Sequence, residues 1–241
     1  MKQMQWMLAL ALAMPVVAQA EQVAQARSPD GRIVVELDLN GEGRLAYRVS
    51  RDGKPVLADS RLGFIFRNGR QLLRNLALDG QATRSADTTW EQPWGERRFV
   101  RDRYNELRAT LVEKDHDHRR FDVVFRVFDD GVGFRYDVPA QPALRTAEIV
   151  QELTEFAVAR PATAWWIPAL EWNREEYLYH RTPLAEVGVA QTPITLRTDD
   201  GLHLSIHEAA LVDYAGMNLM RGDSGALRAM LTPGSPAPVV R

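Results

Sequence analysis

Short segments of alternating apolar and polar residues, which end at glycine-containing turns, are the feature that most restricts the fold of this chain. Val34 to Leu39 alternates in this way, and residues 121–128 place Val123, Phe125 and Val127 on one face. Successive side chains of a strand point to opposite faces, so a period of two is typical of half-buried strands. The chain is therefore expected to be rich in strands.

Turn signals follow several of these segments. Residues 45–49 alternate and lead into an Asp-Gly turn at 52–53, and Asp130-Gly131 separates 121–128 from the apolar run 133–138. Another Asp-Gly pair, at 200–201, precedes the alternating segment 202–206. Asp-Gly between apolar runs is a strong short-range signal for a β-hairpin.

Helical periodicity is weak throughout the region after residue 20. No window of eleven or more residues there has apolar residues at a spacing of 3.6, and the best helical candidate is the short stretch 185–189. Many short strands with turns between them are typical of a sandwich or a barrel. The sequence predicts an all-β fold with few or no long helices.

The first twenty residues have the pattern of a secretory signal peptide. Lys2 supplies a positive charge, an apolar run extends from Met7 to Val17, and Ala18-Gln19-Ala20 is a small-x-small cleavage signal. The run is shorter than the ~20 apolar residues of a membrane-spanning helix. We expect cleavage after Ala20 and export to the periplasm or the medium; the alternative is an uncleaved anchor.

Composition limits the function of the remaining residues, 21–241. Removal of Lys2 leaves 29 basic and 32 acidic residues, a net charge of 29 − 32 = −3, so no basic surplus indicates a nucleic-acid partner. The absence of cysteine means that the fold depends on its hydrophobic core. A length of 241 − 20 = 221 residues is compatible with one large β domain.

Two clusters have both a functional and a structural interpretation. Asp115-His116-Asp117-His118 resembles a metal site, but neighbours on a strand point to opposite faces, so a solvated hairpin tip is the favoured interpretation. The segment 90–96, WEQPWGE, carries two tryptophans that either stack on sugar rings or fill the core. Its composition favours the core.

Aromatic and acidic residues are densest between positions 164 and 179. Ala164-Trp-Trp-Ile-Pro168 is followed by Glu171-Trp172 and by Glu175-Glu176-Tyr177-Leu178-Tyr179. Carboxylates among aromatic rings suit a sugar site or a calcium site, although calcium takes six to eight oxygen ligands, often from several segments. An aromatic loop with solvated glutamates explains the same residues equally well.

His207-Glu208 has the first two residues of the zinc-protease signature H-E-x-x-H. Position 211 is leucine, so the second histidine ligand is absent. The preceding residues alternate as in a strand, which would place Glu208 on the apolar face of Leu204 and Ile206. A carboxylate on such a face requires a partner, or else the strand bends before it.

Several longer segments together resemble glycoside hydrolase family 97. They are SPDG at 28–31, WEQPWGE with RYNEL, FRVFDDGVGFRYDVP at 125–139, AWWIP with EEYLY, and TDDGLHLSIHEAALVDYAGMNL at 198–219. The resemblance extends from residue 28 to about residue 233. It implies exported bacterial enzymes, α-glucosidases and α-galactosidases, that depend on calcium.

The resemblance also implies that catalysis takes place in a different domain of the enzyme. Residues 21–241 look like the N-terminal β-super-sandwich, of the galactose-mutarotase type, of an enzyme whose catalytic (β/α)₈ barrel and C-terminal β domain are not in this chain. No catalytic residue is therefore assigned here, and no substrate-binding residue is identified. The implied partners are the barrel and an α-linked oligosaccharide; a free-standing carbohydrate-binding module or a degenerate remnant is the alternative.

One residue of the family's site maps onto this sequence. The glutamate of the family's Glu-Tyr-x-Tyr element binds the catalytic calcium ion, and the matching residue is Glu176. The spacing from Trp-Ile-Pro favours Glu175, which is the alternative ligand. The resemblance thus implies Ca²⁺ as a cofactor shared between this domain and the barrel.

Overall fold

The fold is known from a computed structural model that describes residues 21–67, 69, 71–115, 117–170 and 176–232. The predicted signal peptide, His116, Trp172 and Glu175 lie outside these residues. The strands and the single 3₁₀ turn (η1) of the described part are, in chain order: β1 (Glu21–Arg27), β2 (Ile33–Leu39), β3 (Leu45–Arg51), β4 (Lys54–Arg61), β5 (Phe64–Phe66), β6 (Leu76–Glu91), β7 (Phe99–Glu113), β8 (Arg120–Val127), β9 (Val132–Asp137), β10 (Ile149–Glu152), β11 (Glu155–Phe156), β12 (Ala162–Trp166), β13 (His180–Pro183), η1 (Leu184–Glu186), β14 (Val189–Gln191), β15 (Ile194–Thr198), β16 (His203–Ile206), β17 (Gly216–Arg221) and β18 (Leu227–Thr232).

These strands form antiparallel sheets that pack as two successive sandwiches. The first sandwich contains the sheets β1-β2-β3-β4 and β6-β7-β8-β9, with the short pair β10-β5 beside them. The second contains the sheets β11-β18-β17-β14 and β13-β12-β15-β16. The sequence-based prediction of an all-β sandwich is confirmed, and the helical candidate at 185–189 is only the turn η1.

Each sandwich has its own hydrophobic core. In the first, the alternating residues Val123, Phe125 and Val127 are fully buried, as their period predicts, and they pack against Tyr47 and other side chains of β2 and β3. In the second, Ala164 of β12 and Leu196 of β15 are fully buried against Leu219 and Leu227. One face of each sheet thus leaves water, which is the main favourable contribution to folding.

Strand β4 joins the two sandwiches. The amide of Ala58 donates to the carbonyl of Ala157 over 2.7 Å. Ala157 directly follows β11, which pairs with β18 of the second sandwich. The buried hydroxyl of Tyr47 donates to the carbonyl of Glu155 over 2.9 Å. The Glu155 carboxylate, almost fully buried, also accepts from the Arg61 Nε over 2.8 Å. The junction is therefore held by hydrogen bonds as well as by packing.

The hairpin β6–β7 extends beyond the first sandwich. Strand β8 pairs with β7 from Asn105 to Val112, whereas β6 pairs with β7 as far as Phe99. Residues 86–104 therefore form a two-stranded ribbon that is ~20 Å long at the usual strand rise. We call this segment the ribbon.

Within the described residues no helix is long and apolar enough to cross a membrane.

Candidate functional site at one end of the second sandwich

The strand register of the second sandwich brings two loops to the same end of one sheet. Trp166, the last residue of β12, lies opposite His180, the first residue of β13. In the same sheet Ile194, the first residue of β15, lies opposite Ile206, the last residue of β16. Because β12 and β15 also pair with each other, the connections 167–179 and 207–215 leave the sheet at this common end.

The first loop is anchored at its start and exposed at its end. The Gln191 amide donates to the carbonyl of Ile167, and the Ala169 amide donates to that of Val189, each over 2.9 Å. After residues 171–175, which are not described, the chain returns with Leu178 at 86% exposure and Tyr179 also exposed. Of the two tryptophans before this loop, Trp166 belongs to the protein interior at 7% exposure, whereas Trp165 is half-buried.

Glu176 lies in the exposed part of this first loop. Among the residues that the structure describes, it takes part in no hydrogen bond or ion pair, and no three acidic, histidine or cysteine side chains form a cluster that would hold a metal ion. A carboxylate oxygen is a suitable calcium ligand, but one carboxylate supplies a small part of the six to eight oxygens required. A calcium ion bound by Glu176 would therefore need its other oxygen ligands from outside the described residues. Glu175, the alternative, lies outside the described residues.

The second loop explains the role of Glu208. Strand β16 ends at Ile206, and the chain bends so that the Glu208 carboxylate accepts a hydrogen bond from the backbone amide of Met217. The Thr192 hydroxyl donates to the carbonyl of the same Met217 over 3.1 Å. The carboxylate therefore has a backbone partner that fixes the start of β17. Residues 207–211 form no helix, which excludes the helical arrangement on which a zinc-protease motif places its ligands.

A series of side-chain hydrogen bonds ties the second loop to the first sandwich. The Tyr214 hydroxyl donates to the Glu152 carboxylate over 2.8 Å, Thr154 also donates to that carboxylate, and the hydroxyls of Tyr136 and Thr154 are 2.9 Å apart. Burial raises the pKa of Glu152 and raises that of Tyr136 well above its usual value. No spacing in the sequence identifies these hydrogen-bonded side chains, because they come from β9, from β10 and the residues after it, and from a distant loop.

The two loops present aliphatic side chains at the shared end. Leu170 and Leu178 are exposed on the first loop, and Leu211 and Val212 are exposed on the second. We call residues 167–170, 176–179 and 207–215 the loop face. A large contiguous patch of exposed apolar side chains often marks a protein-interaction site. The loop face therefore carries the Glu176 carboxylate together with four exposed aliphatic side chains.

The other candidate clusters have clear positions. Asp115, Asp117 and His118 are exposed in the turn between β7 and β8, where the His118 Nδ1 contacts the Glu113 carbonyl over 3.0 Å, which confirms the hairpin-tip interpretation. The interpretation of Trp90 and Trp94 as core residues is wrong, since they are 50% and 82% exposed. Both lie on the ribbon, which leaves the sandwich and takes them away from its core.

A model described as the N-terminal part of glycosyl hydrolase 97 matches residues 26–237 of the chain. A probable retaining α-galactosidase of Streptomyces bingchenggensis is 35% identical over 123 residues, which are 51% of this chain and 18% of that protein. A retaining α-galactosidase of Bacteroides thetaiotaomicron is 24% identical over 215 residues, 83% of this chain and 31% of that protein.

The solved structures give the same result. A glycoside hydrolase family 97 enzyme from Pseudoalteromonas sp. strain K8, studied in complexes with panose and with acarbose, is 44% identical with a TM-score of 0.84. The match covers 87% of this chain and 32% of that chain. The chain therefore spans about a third or less of the length of these relatives.

Proposed function

Because the chain belongs to glycoside hydrolase family 97 and matches the N-terminal domain of that family, we propose that it is the noncatalytic N-terminal part of an exported enzyme. This enzyme cleaves terminal α-glucosidic or α-galactosidic bonds. The names of its relatives support this substrate class, since they are retaining α-galactosidases and an enzyme bound to panose or acarbose. The observation that carries the proposal is the loop face, where a free carboxylate and an aliphatic surface meet.

The loop face is the surface that packs against the catalytic barrel. Leu178 is almost fully exposed, and Leu211 and Val212 lie on the neighbouring loop. Burying an exposed leucine side chain contributes about 1.5–3 kcal/mol, so four aliphatic residues supply a substantial part of the energy of an interdomain contact. The bond from Tyr214 to Glu152 and the bond from Met217 to Glu208 hold the second loop in place before docking, which reduces its entropic cost.

Glu176 contributes one ligand to a calcium ion shared with the barrel. A bound calcium ion stabilises negative charge on a reacting oxygen or holds a catalytic carboxylate in position. Within the described residues Glu176 has no competing ion pair, so its carboxylate is available without breaking an interaction. A ligand donated by this domain makes the calcium site depend on correct docking of the two domains.

The test of Glu176 uses the enzyme in which this domain is joined to its catalytic barrel. We expect Glu176→Gln to weaken calcium binding at least tenfold and to reduce activity, with recovery at raised calcium concentration, because the amide loses the charge but keeps the shape. Glu186→Gln is the matched control, since Glu186 is an exposed glutamate on η1. Unchanged calcium affinity in Glu176→Gln would show that the assignment is wrong, and Glu175→Gln would then be measured.

Two simpler measurements test the remaining parts of the proposal. The chain alone is expected not to hydrolyse an aryl α-glucoside or α-galactoside, because no catalytic carboxylate pair is assigned to it, whereas sustained hydrolysis would contradict a noncatalytic role. Export with cleavage after Ala20 predicts that the secreted product begins at Glu21, which N-terminal sequencing of the periplasmic or secreted protein determines.

A further inference from the structure

The ribbon exposes aromatic side chains that contribute little to the hydrophobic core. Trp94 at its tip is 82% exposed, Trp90 is 50% exposed and Phe99 is 58% exposed. Trp90 lies opposite Val100 and Phe99 lies opposite Glu91, so Trp90 and Phe99 are on opposite faces of the ribbon. Large exposed aromatic rings are costly to keep in water, which makes them a feature that needs a functional explanation.

The tip is held in one conformation before any ligand binds. The backbone amide of Gln92 donates to the carbonyl of Arg98 over 2.9 Å, and its side-chain amide donates to that of Arg97 over 2.5 Å. Gly95 has a φ of 116°, a backbone conformation that residues with a Cβ rarely adopt, so glycine is favoured at this position of the tip. A surface that is ordered in advance loses less entropy on binding.

The base of the ribbon is also fixed. Glu106 accepts hydrogen bonds from Arg84 over 2.6 Å and from Arg126 over 2.8 Å, and the Arg126 guanidinium lies 4.5 Å from the centre of the Tyr104 ring. Tyr104 packs on Phe128 with ring centres 5.3 Å apart. An isolated two-stranded hairpin is only marginally stable in water, so these contacts keep the extended ribbon ordered.

The composition of the tip distinguishes it from the loop face. Residues 90–99 contain no leucine, isoleucine, valine or methionine, and they combine three aromatic rings with charged side chains such as the pair Glu91 and Arg98, 2.8 Å apart. Aromatic rings flanked by carboxylate, amide and guanidinium groups suit sugars, whose C–H faces stack on the rings while their hydroxyls bond to the polar groups.

We propose that the tip of the ribbon is a carbohydrate-binding site, at which α-linked gluco- or galacto-oligosaccharides stack on Trp94 and Trp90. The choice of α-linked sugars rests on the proposed function, whereas the aromatic surface does not. Trp94 provides the principal ring because it is the most exposed, and Trp90, four residues earlier on the ribbon, adds a second ring. The binding is independent of calcium, because Glu176 takes no part in it.

The experiment is a calorimetric titration of the purified chain with maltotetraose and with an α-1,6-linked galacto-oligosaccharide, in EDTA. We expect saturable binding of at least one of the two, weakened tenfold or more by Trp94→Ala and severalfold by Trp90→Ala, and partly retained in Trp94→Phe. Val138→Ala, which removes an exposed apolar side chain outside both the ribbon and the loop face, is expected to bind normally. Unchanged melting temperatures would show that the tryptophan variants are folded.

Three results would overturn the proposal: no binding of either sugar at millimolar concentration, equal binding by Trp94→Ala and the unaltered chain, or equal loss of binding in Val138→Ala. Equal affinity for cellotetraose would overturn the assignment to α-linked sugars. Because calcium is absent and Glu176 is unaltered, failure here is distinct from failure of the calcium assignment. Conversely, a negative result for Glu176→Gln leaves this titration unaffected.

Discussion

The carboxylate of Glu106 offers a quantitative test of how the ribbon is attached to the sandwich. Its side chain is 8% exposed and lies between two guanidinium groups, those of Arg84 and Arg126. The hydrogen bond from Arg84, reinforced by that from Arg126, lowers the pKa of Glu106 from 4.5 to about 2. Replacing Glu106 by glutamine removes the charge while the size of the side chain stays the same.

The lowered pKa sets an upper limit for the effect. A pKa difference of about 4.5 − 2 = 2.5 corresponds to about 3.4 kcal/mol of stability at neutral pH. The side chains of Arg84 and Arg126 are 59% and 36% exposed, so solvent screens part of the attraction. We therefore expect Glu106→Gln to lower the free energy of unfolding by about 1.5–2 kcal/mol at pH 7.

The sign of the pH dependence follows from the direction of the shift. A carboxylate with a lowered folded-state pKa contributes its full stability above its unfolded pKa, and the contribution is lost as the pH falls towards the folded value. The difference between Glu106→Gln and the unaltered chain is thus constant above about pH 5 and shrinks between pH 4.5 and 2.

Urea denaturation followed by tryptophan fluorescence at several pH values measures this difference. Glu91→Gln is the control, because Glu91 forms an ion pair with Arg98 in which both side chains are more than half exposed, and we expect its midpoint to be unchanged. A Glu106→Gln variant as stable as the unaltered chain at pH 7, or a difference that grows as the pH falls to 3, would show that the two arginines do not stabilise the fold through the Glu106 charge.

Two further changes test the second loop. Glu208→Ala leaves the Met217 amide without its carboxylate acceptor, so we expect the free energy of unfolding, measured by urea denaturation, to fall by about 1.5–3 kcal/mol. Glu208→Gln is expected to retain part of the hydrogen bond. An unchanged urea midpoint in Glu208→Ala would show that this bond does not stabilise the loop. Burial raises the pKa of Glu152, so the folded state favours its protonated form, and the chain loses stability as the pH rises from the ordinary glutamate pKa through the raised pKa of the folded state. Glu152→Gln is expected to flatten this part of the stability–pH profile, and an unaltered profile would show that Glu152 does not titrate as described.

The strand content of this protein could be predicted from its sequence because alternation and turn chemistry are local. The buried face of β8 follows directly from the positions of Val123, Phe125 and Val127. The hairpin between β3 and β4 turns at Asp52 and Gly53, both with positive φ, as the Asp-Gly signal predicts. These properties depend on neighbours within a few residues, so one sequence is sufficient to identify them.

Whether a side chain on a strand is buried or exposed depends instead on where that strand ends relative to the adjacent strands of the sheet. Trp90 and Trp94 have the composition of core residues, yet β7 continues past the end of β8, and the ribbon carries both into solvent. No residue within the segment 90–96 signals this, because the length of the adjacent strand decides it.

The partner of Glu208 shows the same division between local and long-range information. Alternation along β16 showed that a carboxylate following Ile206 requires a partner or a bend. Only the tertiary structure shows that both occur, with the Met217 amide as the donor. The all-β fold and the family could be recognised from the sequence, because they follow from local periodicity and from motifs in a fixed order. The tertiary structure decided that the loops bearing Glu176 and Glu208 share one end of the sheet, because strand register between distant segments is fixed by packing and hydrogen bonding across the whole fold.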